Sequence, residues 1–136
     1  MENLRKDDGC FVCGRMNAEG MQVPFEIDPE GHAASCRVAI PARYQGWHEV
    51  VHGGIVATLL DEACAHAART LGPLPLTAEL TVRYRKPVPV GAEVAVRATV
   101  TGRRKRIVTL QAQMESGGEL HAEAEARVYL MDNLGD

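Results

Sequence analysis

Aromatic side chains are scarce in this sequence: one Trp, two Phe and three Tyr among 136 residues. A core must therefore be assembled from Val, Leu, Ile and Ala, which lets elements pack closely but leaves little bulk to wall a deep pocket. Long apolar runs are missing as well, and nothing approaches the roughly 18 apolar residues of a membrane span. The first thirty residues carry Glu2, Arg5, Lys6, Asp7, Asp8, Arg15, Glu19 and Glu26 without an apolar stretch, so no signal peptide is expected. Charge of one sign does not dominate. The formal net charge of -3 argues against a general nucleic-acid binder, in spite of the local run Arg103, Arg104, Lys105, Arg106. Cysteine is too sparse for a disulfide scaffold of this length: Cys10, Cys13, Cys36 and Cys64 are all there is, and Cys64 sits inside an apolar segment. A reducing cytoplasm is the expected compartment.

What is present reads as one globular domain over residues 1–136, of which residues 1–20 are polar, Gly-bearing and aperiodic, an irregular lead-in. A chain of this size buries roughly two-thirds of its unfolded surface and needs no metal or disulfide to be stable. Residues 21–28 and 33–40 read as two short strands around the turn Pro29-Glu30-Gly31, and residues 41–51 as a loop with Pro41, Gly46 and Trp47. From Val51 to Leu71 runs the one long helical segment, followed by the stop signal Gly72-Pro73. Residues 76–86, 92–101, 106–115 and 119–131 then alternate apolar and polar with a period of two. In the last of these, Leu120, Ala122, Ala124, Ala126, Val128 and Leu130 oppose His121, Glu123, Glu125 and Arg127. Such strands belong to an antiparallel sheet covered on one face. The single helix is apolar nearly all the way round, the mark of a buried helix. The spacing predicts an α+β fold, a curved antiparallel sheet of about five to six strands wrapped around one long central helix.

Charge inside that helix is the first functional clue. Asp61 and Glu62 stand side by side in its middle, and at 100° per residue they point in different directions. Glu62 shares a stripe with Ile55, Leu59 and His66, and His66 is an i+4 partner for it. Asp61 shares its stripe with Gly54, Thr58 and Ala65, small neighbours without a charge, so Asp61 is preferred as the catalytic carboxylate. The helix begins at His52-Gly53-Gly54, where glycines let a ligand approach free N–H groups at the positive end of the helix dipole. Such a turn can polarise a carbonyl oxygen, although Gly-Gly also serves simply as a tight turn. Asp61 lies seven residues beyond Gly54, about 10 Å along the axis, and a general base must come within about 3 Å of what it deprotonates. The two can meet at one substrate only if they come from two copies of the chain with antiparallel central helices. A homodimer with active sites at its interface is therefore expected, and pairing of dimers into a tetramer is left open.

Residues Val51 through Ala63 (VHGGIVATLLDEA) resemble the signature of hotdog-fold acyl-CoA thioesterases of the PaaI-like, phenylacetate-degradation branch. Thr77 through Gly91 (TAELTVRYRKPVPVG) is similar to the same family's next strand and turn, and the resemblance covers roughly residues 20–131. It implies hydrolysis of an acyl-CoA thioester without a cofactor. Gly54 would donate its N–H to the thioester carbonyl, with His52 and Gly53 shaping the turn, and Asp61 of the partner subunit would activate water or attack the carbonyl itself. Thr77 would lie near the acyl group or the water, and Arg103, Arg104 and Arg106 would meet the CoA phosphates, unless that cluster is only a solvated hairpin. Trp47, with His48 beside it, lies just before the turn and is a candidate wall for the acyl group; Glu62 is kept as a second substrate-side carboxylate. A hotdog-fold enoyl-CoA hydratase and a non-catalytic acyl-CoA-binding regulator are the competing readings.

Cys10-Phe11-Val12-Cys13-Gly14 stands outside this scheme. A structural zinc site wants four ligands and no second CxxC follows, while Cys36 and His32 would complete a set only by coincidence of folding. No metal is expected there, and a thiol turn that docks the lead-in onto the sheet is.

Overall fold

The computed structural model describes residues 4–131. Among these, the strands are β1 (Glu26–Asp28), β2 (Ala33–Ala39), β3 (Leu74–Tyr84), β4 (Glu93–Arg104), β5 (Ile107–Ser116) and β6 (Glu119–Met131), with one α-helix, α1 (Gly53–Ala68), and a 3-10 turn at Ala42–Tyr44. All six strands join one antiparallel sheet in the order β1-β2-β4-β5-β6-β3. The helix packs against the inner face of this sheet and touches every strand, the hotdog arrangement. No helix of the described residues is long and apolar enough to cross a membrane.

The inner face follows the alternation of the sequence: Val94, Val96 and Ala98 from β4, Val108, Leu110, Ala112 and Met114 from β5, and Ala122, Ala124, Ala126 and Val128 from β6 are all buried. From α1, Val56, Leu59, Leu60, Ala63, Cys64, Ala67 and Ala68 meet them. The helix is not buried all round, however. The stripe Gly54, Thr58 and Asp61 remains partly accessible, because a single sheet covers one side of a cylinder and no other described element closes over this stripe.

Element ends differ from the sequence reading for identifiable reasons. The helix starts two residues late because His52 is its N-cap, with extended backbone at ψ 135. It stops at Ala68, where the Thr70 hydroxyl and N–H both bond the Ala67 carbonyl and close the last turn early. Strand β1 is shorter than expected because Met21 and Val23 donate to the lead-in carbonyls of Phe11 and Val12, at 2.7 and 2.8 Å, and Pro24 has no N–H to offer. On β6, Glu115 pairs with Leu120 but Met114 pairs with Ala122, so His121 is the extra residue of a bulge. That bulge buries His121 to 7% exposure, against the outward position its alternation predicts. The tight turn between β5 and β6 is Gly117-Gly118 with φ of 58 and 79, values that side-chain-bearing residues adopt with strain.

Leu60 is fully buried between helix and sheet. Leu60→Ala is expected to lower the unfolding free energy by about 2–5 kcal/mol, the range for cavity-forming core truncations, as read by urea denaturation.

Candidate active site

The His52-Gly53-Gly54 turn is held by four interactions. His52 N–H bonds the Tyr44 carbonyl at 2.9 Å, the Tyr84 hydroxyl donates to the Gly53 carbonyl at 2.8 Å, Thr58 Oγ1 donates to the Gly54 carbonyl at 2.8 Å, and Gly54 N–H donates to His52 Nδ1 at 2.8 Å. The last of these matters for chemistry. The Gly54 N–H is exposed at the helix start, but it caps its own helix through His52, so a ligand carbonyl must share or displace the imidazole. The sequence reading put His52 at this turn as a shaping residue; the structure adds the cap. Tyr84 is a residue of this site that the sequence does not mark, since nothing in its period-two position assigns its hydroxyl to the Gly53 carbonyl.

Asp61, half-buried on α1, accepts a hydrogen bond of 2.6 Å from Thr77 Oγ1 of β3. Both residues were candidates from the sequence, and the chain brings them together by placing the start of β3 alongside the open stripe of the helix. A bulge at Ala78, between Thr77 and Glu79, locally breaks the β3–β6 register beside this pair, as bulges commonly do next to functional groups. One turn on, Cys64 faces the core; burial first and the Asp61 charge second push its thiol up to about 12, so it is inert. Gly54 and Asp61 remain seven helical residues apart, about 10 Å, within one chain.

Glu62 points elsewhere, toward the lead-in. Cys10 Sγ donates to Glu62 Oε1 at 3.2 Å, Cys13 Sγ lies within 4.8 Å of a Glu62 carboxylate oxygen, and the His66 imidazole stands with Nε2 3.6 Å from Glu62 Oε1. Phe25 stacks on the His66 ring at 4.7 Å between centroids. Burial alone would raise the Glu62 carboxyl, but His66 and the two thiols outweigh it and hold Glu62 below its ordinary value. Burial and then the Glu62 carboxylate push the Cys13 thiol far above its own. The thiol turn thus docks the lead-in on the central helix, but its anchor is the carboxylate assigned by sequence to the substrate side. The two residues the sequence offered as distant zinc partners are not near: His32 bonds Thr70 at 2.9 Å, and Cys36 is buried on β2, its thiol raised to about 11 by desolvation.

Trp47 is 85% exposed and borders a cleft of about 430 Å³ with Gly53, Val56, Tyr84 and Val88, next to the helix start. Arg103, Arg104 and Arg106 edge a separate cavity of about 600 Å³ at the β4–β5 turn, with Arg127 and Tyr129. This turn lies at the Thr77 end of the sheet: Val108, Val128 and Thr77 form one row across β5, β6 and β3, about 10 Å wide. Ile107 and Tyr129 face away from the helix, however, so one chain does not bring this cavity and Asp61 into a single pocket.

Residues 48–122 match the sequence profile of the Thioesterase superfamily. The acyl-coenzyme A thioesterase THEM4 of Xenopus laevis is 36% identical over 77 residues, which is 55% of this chain and 35% of that protein, so the chain spans about a third of the length of this curated relative. Among solved structures, a thioesterase superfamily protein superposes with a TM-score of 0.81 at 26% identity, covering 91% of this chain and 61% of the other. The phenylacetic acid degradation protein PaaI from Thermus thermophilus, in a variant form, gives a TM-score of 0.74 at 26% identity over 80% of this chain and 93% of its own. The chain belongs to the thioesterase superfamily and has the hotdog fold of its PaaI-like members.

The cap at the helix start yields a direct expectation. His52→Ala should cost about 0.5–2 kcal/mol of unfolding free energy, whereas His52→Asn, whose side chain can also accept from Gly54 N–H, should recover most of it in the same denaturation assay.

Proposed function

We propose that this protein hydrolyses acyl-CoA thioesters at a site shared by two subunits. The observation that carries the reading is the Asp61–Thr77 pair on the open helix stripe, with the glycine turn at the other end of the same stripe. Strand β3 supports a two-fold partner. It is an 11-residue edge strand whose outer N–H and C=O groups have no neighbouring strand among the described residues, and it lies against that stripe. A second copy, docked antiparallel with its stripe facing this one, brings its helix start to Asp61 and closes both the edge and the stripe.

In that assembly Gly54 of the partner subunit donates its N–H to the thioester oxygen at the positive end of its helix, where charge develops on that oxygen during attack. The Thr77 hydroxyl occupies one oxygen of Asp61 and fixes the carboxylate, leaving the other free to take a proton from water or to attack the carbonyl carbon. By either route the C–S bond breaks, the thiol leaves with a proton, and water supplies the oxygen of the carboxylate product. Trp47 flanks the acyl end beside the turn, and Arg103 and Arg104 present positive charge suited to CoA phosphates.

A thiol-release screen over short, medium, long and aromatic acyl-CoAs tests the activity. Asp61→Asn is expected to lower turnover by about 10²–10⁴-fold while the protein stays folded. Hydration of crotonyl-CoA without thiol release would overturn the hydrolase reading.

The shared site has its own test. Gly54→Pro removes the N–H within the first helical turn, together with the cap it makes to His52, and the variant, checked as folded by circular dichroism, should be inactive like Asp61→Asn. Refolding the two inactive variants together in equal amounts should restore about a quarter of wild-type activity, because half of the dimers are mixed and each has one intact site. If no activity returns although mixed dimers form, the two groups do not come from different subunits.

A further inference from the structure

We propose that Cys10, Cys13 and Glu62 bind one zinc-class divalent metal ion that fastens the lead-in to the central helix, with His66 closing on the ion as fourth ligand by a small side-chain adjustment. The proposal is independent of the thioesterase reading. Its starting point is a cluster that serves no step of that chemistry: the Sγ atoms of Cys10 and Cys13 and a carboxylate oxygen of Glu62 all lie within 4.8 Å of one another, and His66 stands beside this group, against Glu62. Two thiols, a carboxylate and an imidazole are a donor set for zinc rather than for the oxygen-preferring calcium or magnesium.

One distance at this cluster fits an ion where it does not fit a hydrogen bond. Zn–S bonds of about 2.3 Å and Zn–N or Zn–O bonds of about 2.0 Å, at tetrahedral angles, put donor atoms about 3.3–3.8 Å apart. His66 Nε2 is 3.6 Å from Glu62 Oε1, too far for a hydrogen bond but the separation of two ligands on one ion, while the 3.2 Å thiol–carboxylate hydrogen bond from Cys10 to the same oxygen needs to open by only a few tenths of an ångström. His66 Nε2 is also a buried polar atom with no hydrogen-bond partner among the described residues, which is costly unless something occupies it. The ring is held in that orientation by Phe25 stacked against it. Glu62 and His66 stand one turn apart on one helix face, so both donors project from a rigid element.

The loop carrying the two thiols is built around its glycine. A Cβ on Gly14 would fall 2.5 Å from the Asp8 carbonyl oxygen and 2.5 Å from the Cys10 nitrogen, so only glycine lets the chain wind back over Cys10 this tightly. The Gly14 N–H bonds the Cys10 carbonyl at 2.9 Å and the Val12 N–H approaches Cys10 Sγ at 3.4 Å, an arrangement that presents both sulfurs on one side. On binding, both thiols give their protons to solvent, and two thiolates with one carboxylate around a divalent ion leave a single negative charge. Arg5 and Arg69 border the same cavity, of about 610 Å³, and can balance it.

Cobalt is the probe. The full chain, reduced with a phosphine and stripped of metal, should develop the visible bands of tetrahedral Co(II) and a near-ultraviolet thiolate charge-transfer band, saturating at one equivalent and displaced by one equivalent of zinc. Replacing both Cys10→Ser and Cys13→Ser should abolish both signals. His66→Gln should keep the thiolate band, change the visible bands, and weaken binding by at least about tenfold, the scale on which even outer-shell changes act. The wild-type titration alone decides the matter if a variant does not fold. No cobalt bands at stoichiometric protein and metal would overturn the proposal. So would bands that survive in the folded double variant, or loss of two titratable thiols in air to a Cys10–Cys13 disulfide in protein that takes up no metal when reduced.

Discussion

Everything in this molecule leans on the packing of one helix into the concave side of one sheet. Leu59, Leu60, Ala63, Cys64, Ala67 and Ala68 of α1 have no exposed surface, and neither do Val94, Val96 and Val108 opposite them. Alanine and cysteine along the helix keep the sheet close, and close packing is what dispersion and apolar burial reward. Once this face is fixed, the rest of the helix surface is fixed with it. Going round the cylinder, one side meets the sheet, one carries Asp61 toward Thr77, and one carries Glu62 and His66 toward the lead-in. The scarcity of aromatic residues takes its meaning here. A core of small side chains does not enclose a pocket within one chain, and the candidate site lies on the helix's open stripe instead.

Most of the architecture was legible because its signals are periodic. Four alternating stretches gave β3 to β6, and the single apolar helical segment gave α1. Boundaries were less legible where a hydrogen bond from elsewhere overrides the local pattern. Met21 and Val23 satisfy their N–H groups on the lead-in, so β1 begins at Glu26, and the bulge on β6 buries His121 on what the alternation makes the outer side. Within the candidate site, Asp61, Thr77 and the His52-Gly53-Gly54 turn were readable from residue type and spacing. The Tyr84 hydroxyl on Gly53 was not, because a tyrosine in a strand carries no mark of the carbonyl it will meet. Nor was the company of Glu62: its fellow donors Cys10 and Cys13 are about fifty residues away in sequence, and a spacing rule sees only what recurs along the chain.

The helix start holds a tension that the fold resolves in its own favour. His52 satisfies the Gly54 N–H, which stabilises the helix, yet that N–H is the group best placed to polarise a carbonyl. The exposed imidazole on one side and the Tyr84 hydroxyl on the other hold the turn while leaving its outer surface accessible. A ligand that takes the N–H gives in exchange an acceptor of the same kind, so the helix keeps its cap whichever oxygen or nitrogen supplies it.

Asp61 and Glu62 are neighbours in sequence and strangers in space. A rotation of about 100° separates a carboxylate beside a threonine hydroxyl from one beside two thiols and an imidazole. The seven-residue interval from Gly54 to Asp61 is therefore a reading frame. One residue inserted or deleted within it would turn Asp61 out of reach of Thr77, carry Glu62 away from the cysteines, and swing the buried face off the sheet. Substitutions along this stretch act on one face at a time; a change in its length acts on all of them together.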